Sequence, residues 1–155
     1  MAQTSSSDFT NALGPPLIGA LLRMPVDHVR RHMLEGLHAR GFDDIDQAHL
    51  AIVQYPGPQG LRPSDLAARL RMSKQAVNYL LGQLEGLGYL ERVADPDDQR
   101  SRRIALTQRG TDAAHAIRDL VGELERDWEA RLGRRRFAQL RALLVDLNDE
   151  LAAQP

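Results

Sequence analysis

The chain contains no cysteine, which excludes disulfides, cysteine-ligated zinc and thiol redox switching. It has a single lysine, Lys74, among its 20 basic residues. No apolar run approaches the roughly 20 residues that a membrane-spanning helix needs. The opening stretch MAQTSSSDFTNALGPP lacks a basic segment followed by a long apolar core, so no secretory leader is expected. Nucleophile elbow, phosphate-binding loop, zinc-protease helix and dinucleotide fingerprint are all missing, and the enzyme classes they mark lose their support. There is no internal repeat. The expectation is a cytoplasmic protein that is not an enzyme, carries no cofactor or resident metal and does not enter a membrane.

What is present fits one globular unit. The 155 residues, 43% of them hydrophobic, suffice for one domain with a real core. A Ser/Thr-rich tail is expected over residues 1–12 and a single domain over 13–155. The net charge of −1 hides an uneven distribution. Between Arg62 and Gly110 nine basic residues face six acidic ones, leaving the excess of acid to the rest of the chain. Positive charge is concentrated in the middle, where a nucleic-acid face would need it.

Apolar spacing sets out the elements. Leu22, Val26, Val29, Met33 and Leu37 recur at steps of three and four, which predicts a first helix after Pro15-Pro16. Pro25 inside it predicts a kink or two abutting helices. Gly41 ends the run, and a short second helix is expected over about 46–55. Arg62-Pro63-Ser64 opens a third helix with Leu66, Ala67 and Leu70 inward. Ser73 is a good N-cap for a fourth, which carries Val77, Leu80 or Leu81, Leu84 and Leu87 and stops near Gly88. Two β-prone pieces over 89–93 and 102–106 flank Asp95-Pro96-Asp97-Asp98, strong turn chemistry, and predict a hairpin. Thr107 caps a long helix bearing Ile117, Leu120, Leu124, Trp128 and Leu132, which Gly133 breaks. A last helix carries Phe137, Leu140, Leu144, Leu147 and Leu151. Leu-rich stripes on both terminal helices exceed what one small body can cover, so 13–45 and 108–153 are expected to form an intertwined homodimer.

The third and fourth helices, joined by a short turn, have the layout of a helix-turn-helix. In that layout the first braces the second, and Lys74, Gln75, Asn78 and Tyr79 lie on the exposed start of the second. Gln and Asn can pair bidentately with adenine, and Lys can reach guanine or phosphate. Arg62, Ser64 and Ser73 are suited to the DNA backbone. Arg100, Arg102 and Arg103 follow the hairpin loop, and a narrow ribbon tipped with arginine fits a minor groove. Asp98, two positions before Arg100, is placed to orient it. Asp97 and Asp98 would repel phosphate unless paired.

The stretch Leu66-Ala67, Ser73, Val77, Leu80, Leu84-Glu85, Gly88-Tyr89-Leu90, Asp95-Pro96-Asp97-Asp98-Gln99-Arg100-Ser101-Arg102-Arg103, Leu106-Thr107 and Gly110 resembles the signature of the MarR (multiple antibiotic resistance regulator) family. The motif-bearing part spans residues 61–110, and the helix order extends the likeness over nearly the whole chain. The resemblance implies a mainly α fold of about six helices with a small antiparallel wing. It also implies a homodimeric, sequence-specific regulator of transcription on a pseudo-palindromic operator of double-stranded DNA, usually a repressor relieved by a ligand. It places the helix after Ser73 in the major groove and the wing arginine, here Arg100, in the minor groove. Two departures stand out. Arg71 occupies a position where many members have Gly, and Gly82 sits inside the reading helix.

Other readings compete with these. His28 and His32 share a helix face at i, i+4, and with His49, His115 and nearby carboxylates would make a metal-responsive regulator, although no compact ligand motif exists. By resemblance, His28, His32 and Tyr55 line a crevice for a small amphipathic or phenolic effector; packing or facing water is the plainer role for each. Trp128 is expected as a dimer or core anchor. A winged helix that docks protein rather than DNA is the remaining alternative.

Overall fold

The computed structural model describes residues 14–54, 56 and 60–153. In chain order they form α1 (Ile18–Ala39), α2 (Gln47–Val53), α3 (Pro63–Leu70), α4 (Lys74–Gly86), β1 (Leu90–Asp95), β2 (Asp98–Leu106), α5 (Gln108–Leu132) and α6 (Arg134–Ala152). The expected 1–12 tail lies outside the described residues.

Local chemistry explains most of the boundaries. Asp46 caps α2 by accepting from the Ala48 and His49 amides, and the Asp46 amide donates to His49 Nδ1 in return. Pro63 opens α3, where its missing N–H would have had no helical partner in any case. Ser73 Oγ accepts from the Ala76 amide at 3.1 Å, and Thr107 Oγ1 accepts from the Gly110 amide at 3.1 Å. Each hydroxyl satisfies one of the orphan donors of a first helical turn.

Two expectations need correction. α1 runs through Pro25 as one helix, so two abutting helices are not found. The ring removes only the bond to the Leu21 carbonyl, and Leu21 lies on an exposed stretch where water can satisfy that oxygen. The wing is also longer than expected. The Asp95 carboxylate accepts from the Asp97 amide at 3.0 Å, which closes the turn over Pro96-Asp97 and lets both strands extend to it. Leu90 pairs with Leu106 and Ala94 with Arg102, but Asp95 pairs with Asp98, so residues 99–101 bulge from β2. Arg100 and its neighbours therefore follow the hairpin turn as part of β2. Leu61 adds a short third rung by exchanging both backbone bonds with Ile104, at 2.9 and 2.8 Å.

The core lies where α1, α2, α4 and α5 converge on the base of the wing, and Leu37, Ile52, Leu81, Leu84, Tyr89 and Ile104 are fully buried there. The two ends of the chain contrast with it. No residue of α6 is buried. Leu143 and Val145 are 66% and 51% exposed, and on α1 Ile18 and Met24 are 68% and 58% exposed.

Candidate nucleic-acid interface

α4 divides into two faces. Val77, Leu80, Leu81 and Leu84 are buried, and α3 braces that side with Leu66 and Ala67. Lys74, Gln75, Asn78 and Tyr79 are all exposed, as the 3.6-residue period requires of positions between the apolar ones. Tyr79 is the largest apolar surface on this face, at 68% exposure, and its hydroxyl accepts from Gln83 at 3.3 Å. The Ser73 cap fixes where this face begins. Ser73→Ala should lower the melting temperature by the equivalent of about 1 kcal/mol, and an unchanged melt would place the helix start elsewhere.

The arginines of the region sort by their partners. Arg62 Nε donates to Asp95 Oδ2 at 2.6 Å. The Arg103 guanidinium lies 3.1 Å from Asp95 Oδ1 and 2.8 Å from Asp97 Oδ2. Asp95 is buried and binds the N-cap residue of α3 to both strands of the wing. The hydrogen bond from Arg62 holds the Asp95 carboxyl well below the usual carboxylate range, aided by the Asp97 amide and Arg103 and opposed by burial. The same contact, with Asp95's charge and smaller contributions from Asp65 and Asp98, raises the Arg62 pKa. Arg62 and Arg103, both expected at DNA, hold the start of α3 and the wing together. Ser64 keeps its hydroxyl 3.3 Å from Asp65 Oδ1. Arg102, next to Arg103 on the pleat, is exposed. The Arg100 side chain lies outside the described residues, and with it the expected orienting by Asp98.

A second knot was not legible in the sequence. Arg109, in the first turn of α5, donates to the Leu87 carbonyl at 2.6 Å and to Asp44 Oδ2 at 2.8 Å, with its guanidinium carbon 4.4 Å over the Tyr89 ring. The Tyr89 hydroxyl donates to Asp44 Oδ1. Burial opposes ionisation of Asp44, yet the bond from Tyr89 and the charge of Arg109 leave its pKa below the ordinary value. This knot fastens the α1–α2 connection to the base of the wing. Its members lie up to 65 positions apart, beyond any local pattern. Asp95 was at least visible, as turn chemistry.

His28, His32 and His49 each meet a partner within the chain. His28 stacks on Trp128 with ring centroids 6.2 Å apart. His32 Nε2 lies 3.2 Å from the Leu120 carbonyl. His49 belongs to the α2 cap and meets Gln83 Oε1 at 3.3 Å. Among the described residues no group of three or more His, Asp or Glu could hold a metal ion. Two open clefts flank Gln54: one of about 600 Å³ includes His115, Arg118, Val121 and Arg141, and one of about 700 Å³ includes Arg30, Met33, Leu70 and Met72. Neither His28 nor His32 lines them. Tyr55 lies outside the described residues.

Comparison with known proteins agrees with this architecture. The model of the MarR family matches residues 48–101. YkoM of Bacillus subtilis, an uncharacterized HTH-type transcriptional regulator, is 32% identical over 84 residues, 54% of this chain and 53% of its own length. The match thus spans about half of that relative. The crystal structure of apo MarR from E. coli superposes with a TM-score of 0.68 at 25% identity, over 85% of this chain and 96% of that one. A MepR–DNA complex from S. aureus gives 0.67 at 23% identity, over 87% and 98%, and at that identity speaks for the fold.

Proposed function

This chain belongs to the MarR family, and from that premise we propose that it regulates transcription by binding a pseudo-palindromic duplex as a homodimer. The α4 helix of each subunit enters the major groove and the wing follows the adjacent minor groove. The observation that carries the reading is the polar face of α4, where Lys74, Gln75, Asn78 and Tyr79 are all exposed beside a wing braced by a buried carboxylate. Uncharged amides on the first turns of a helix can discriminate bases, and exposed arginine on a ribbon neutralises phosphate. A protein of the same fold, MepR, has been solved in complex with DNA, which is in keeping with DNA as the partner. Selecting bound sites from random duplex DNA with the purified protein tests the reading directly. Enrichment of an inverted repeat supports it, and no enrichment at all counts against it.

The homodimer is part of the same proposal. The exposed apolar residues of α1 and α6, among them Ile18, Leu21, Met24, Leu143 and Val145, lie outside the reading region 61–110, and contiguous exposed apolar surface marks an interaction site. Sedimentation at micromolar concentration should give a dimer, and removing residues 137–155 should abolish soluble protein. A stable folded monomer would contradict the intertwined arrangement. Repression relieved by a small amphipathic or phenolic effector completes the proposal. The cleft lined by Arg30, Met33, Gln54, Leu70 and Met72, between α1 and the end of α3, is where such a molecule would change the spacing of the two heads.

A further inference from the structure

Three helices of this chain end in the same way. At the end of α1 the Phe42 amide donates to the Leu37 carbonyl and the Gly41 amide to His38, both at 3.1 Å. At the end of α4 the Tyr89 amide donates to Leu84 at 2.9 Å and Gly88 to Glu85 at 3.0 Å. At the end of α3 the Met72 amide donates to Ala67 at 3.1 Å and Arg71 to Ala68 at 3.2 Å. This paired closure needs a left-handed residue just past the helix. Gly41 and Gly88 supply it with φ of 89° and 79°, whereas the third position is Arg71, with φ of 50°. Among the described residues Arg71 alone combines positive φ with a side chain. An L-residue loses stability there that glycine does not, because its Cβ crowds the backbone.

Among the described residues nothing offsets that loss. Arg71 is exposed, and among the described residues its guanidinium has no hydrogen bond, ion pair or ring contact. Arg62, Arg92, Arg103 and Arg109 in the same region each hold a carboxylate. Arg71 stands two positions before Ser73, the cap of α4, and three before Lys74, where the exposed reading face begins. A cation at that place, kept at a cost to the fold and left unpaired, fits a partner outside the chain that carries negative charge.

We propose that Arg71 contacts a phosphate of the bound duplex, and that its side chain is retained in a glycine-like turn for that contact. The proposal rests on the DNA-binding reading above and adds a residue that the helix and wing motifs do not mark. It separates from a structural role because the two effects of Arg71→Gly have opposite signs. The glycine variant should melt higher than wild type, yet bind the selected duplex and a scrambled duplex about tenfold more weakly. The slope of log affinity against log salt should fall by about two for the dimer, one phosphate per subunit. Arg71→Lys should keep most of the slope. Unchanged affinity and slope for Arg71→Gly would overturn the contact. A lower melting temperature would overturn the strained turn, and a loss confined to the selected duplex would mean that a base, not phosphate, is touched. If wild type itself binds neither duplex, the DNA reading fails before Arg71 is in question, and that result is distinct from the others.

Discussion

Gly110→Ala should destabilise the chain by about 3 kcal/mol or more, because the new methyl group has no room and its neighbour cannot move. A Cβ built at Gly110 would lie 2.0 Å from the Tyr89 carbonyl oxygen and 3.0 Å from Leu106 Cδ2. That oxygen is backbone, and it accepts the Thr107 amide at 3.1 Å. The first turn of α5 is thus laid directly on the base of the wing, with Thr107 Oγ1 also donating to the Gly88 carbonyl at 2.6 Å. This contact gives the Leu106-Thr107 and Gly110 spacing a physical reason: a cap followed by a residue without a side chain. Gly82→Ala is the control. Its Cβ meets nothing within 4 Å, so the substitution should stabilise the helix by roughly 0.5–1 kcal/mol. Denaturant melts of both variants decide the matter, and equal midpoints would contradict the close approach.

Replacing Asp95 by Asn should release the wing while leaving α4 intact. The carboxylate is where Arg62, Arg103 and the Asp97 amide meet, and a neutral amide cannot satisfy two guanidinium groups. Helix content by circular dichroism should hold, proteolysis within β2 should accelerate, and affinity should fall roughly tenfold or more on every duplex as wing contacts are lost. Acid gives an independent check. The folded pKa of Asp95 is depressed, so its contribution is complete above the unfolded value of about 3.9 and disappears as pH falls through the folded one. Wild type should therefore lose stability below about pH 4, and the gap between wild type and Asp95→Asn should narrow over the same range. A gap that stays constant down to acid pH would remove the carboxylate from the account.

The two substitutions mark what could be read from the sequence. Helix starts at Pro63, Ser73 and Thr107 were legible because a cap acts over three residues, and the inward positions of α4 because burial follows a 3.6-residue period. The hairpin was legible from its turn. Its length was not, because the bulge at 99–101 breaks the pairing that alternation would show. Arg62 and Arg103 read as free cations; their shared partner Asp95 reads as a turn residue, and Arg62 lies 33 positions from it. His28 and His32 share a helix face, as their spacing says. Spacing does not reveal that one meets Trp128 and the other the carbonyl of Leu120. Pro25 was read as a kink or a join between two helices, and the join is not found, since α1 is continuous through it.

The central claim is that α4 reads sequence while the wing supplies charge. A binding titration across salt, on the selected duplex and on a scrambled one, tests it with Gln75→Ala, Asn78→Ala and Arg100→Ala. The account predicts that either amide substitution costs roughly 1–3 kcal/mol on the selected duplex and little on the scrambled one. It predicts that Arg100→Ala weakens both and lowers the salt slope by about two in the dimer. Wild-type binding on both duplexes for all three variants would contradict it.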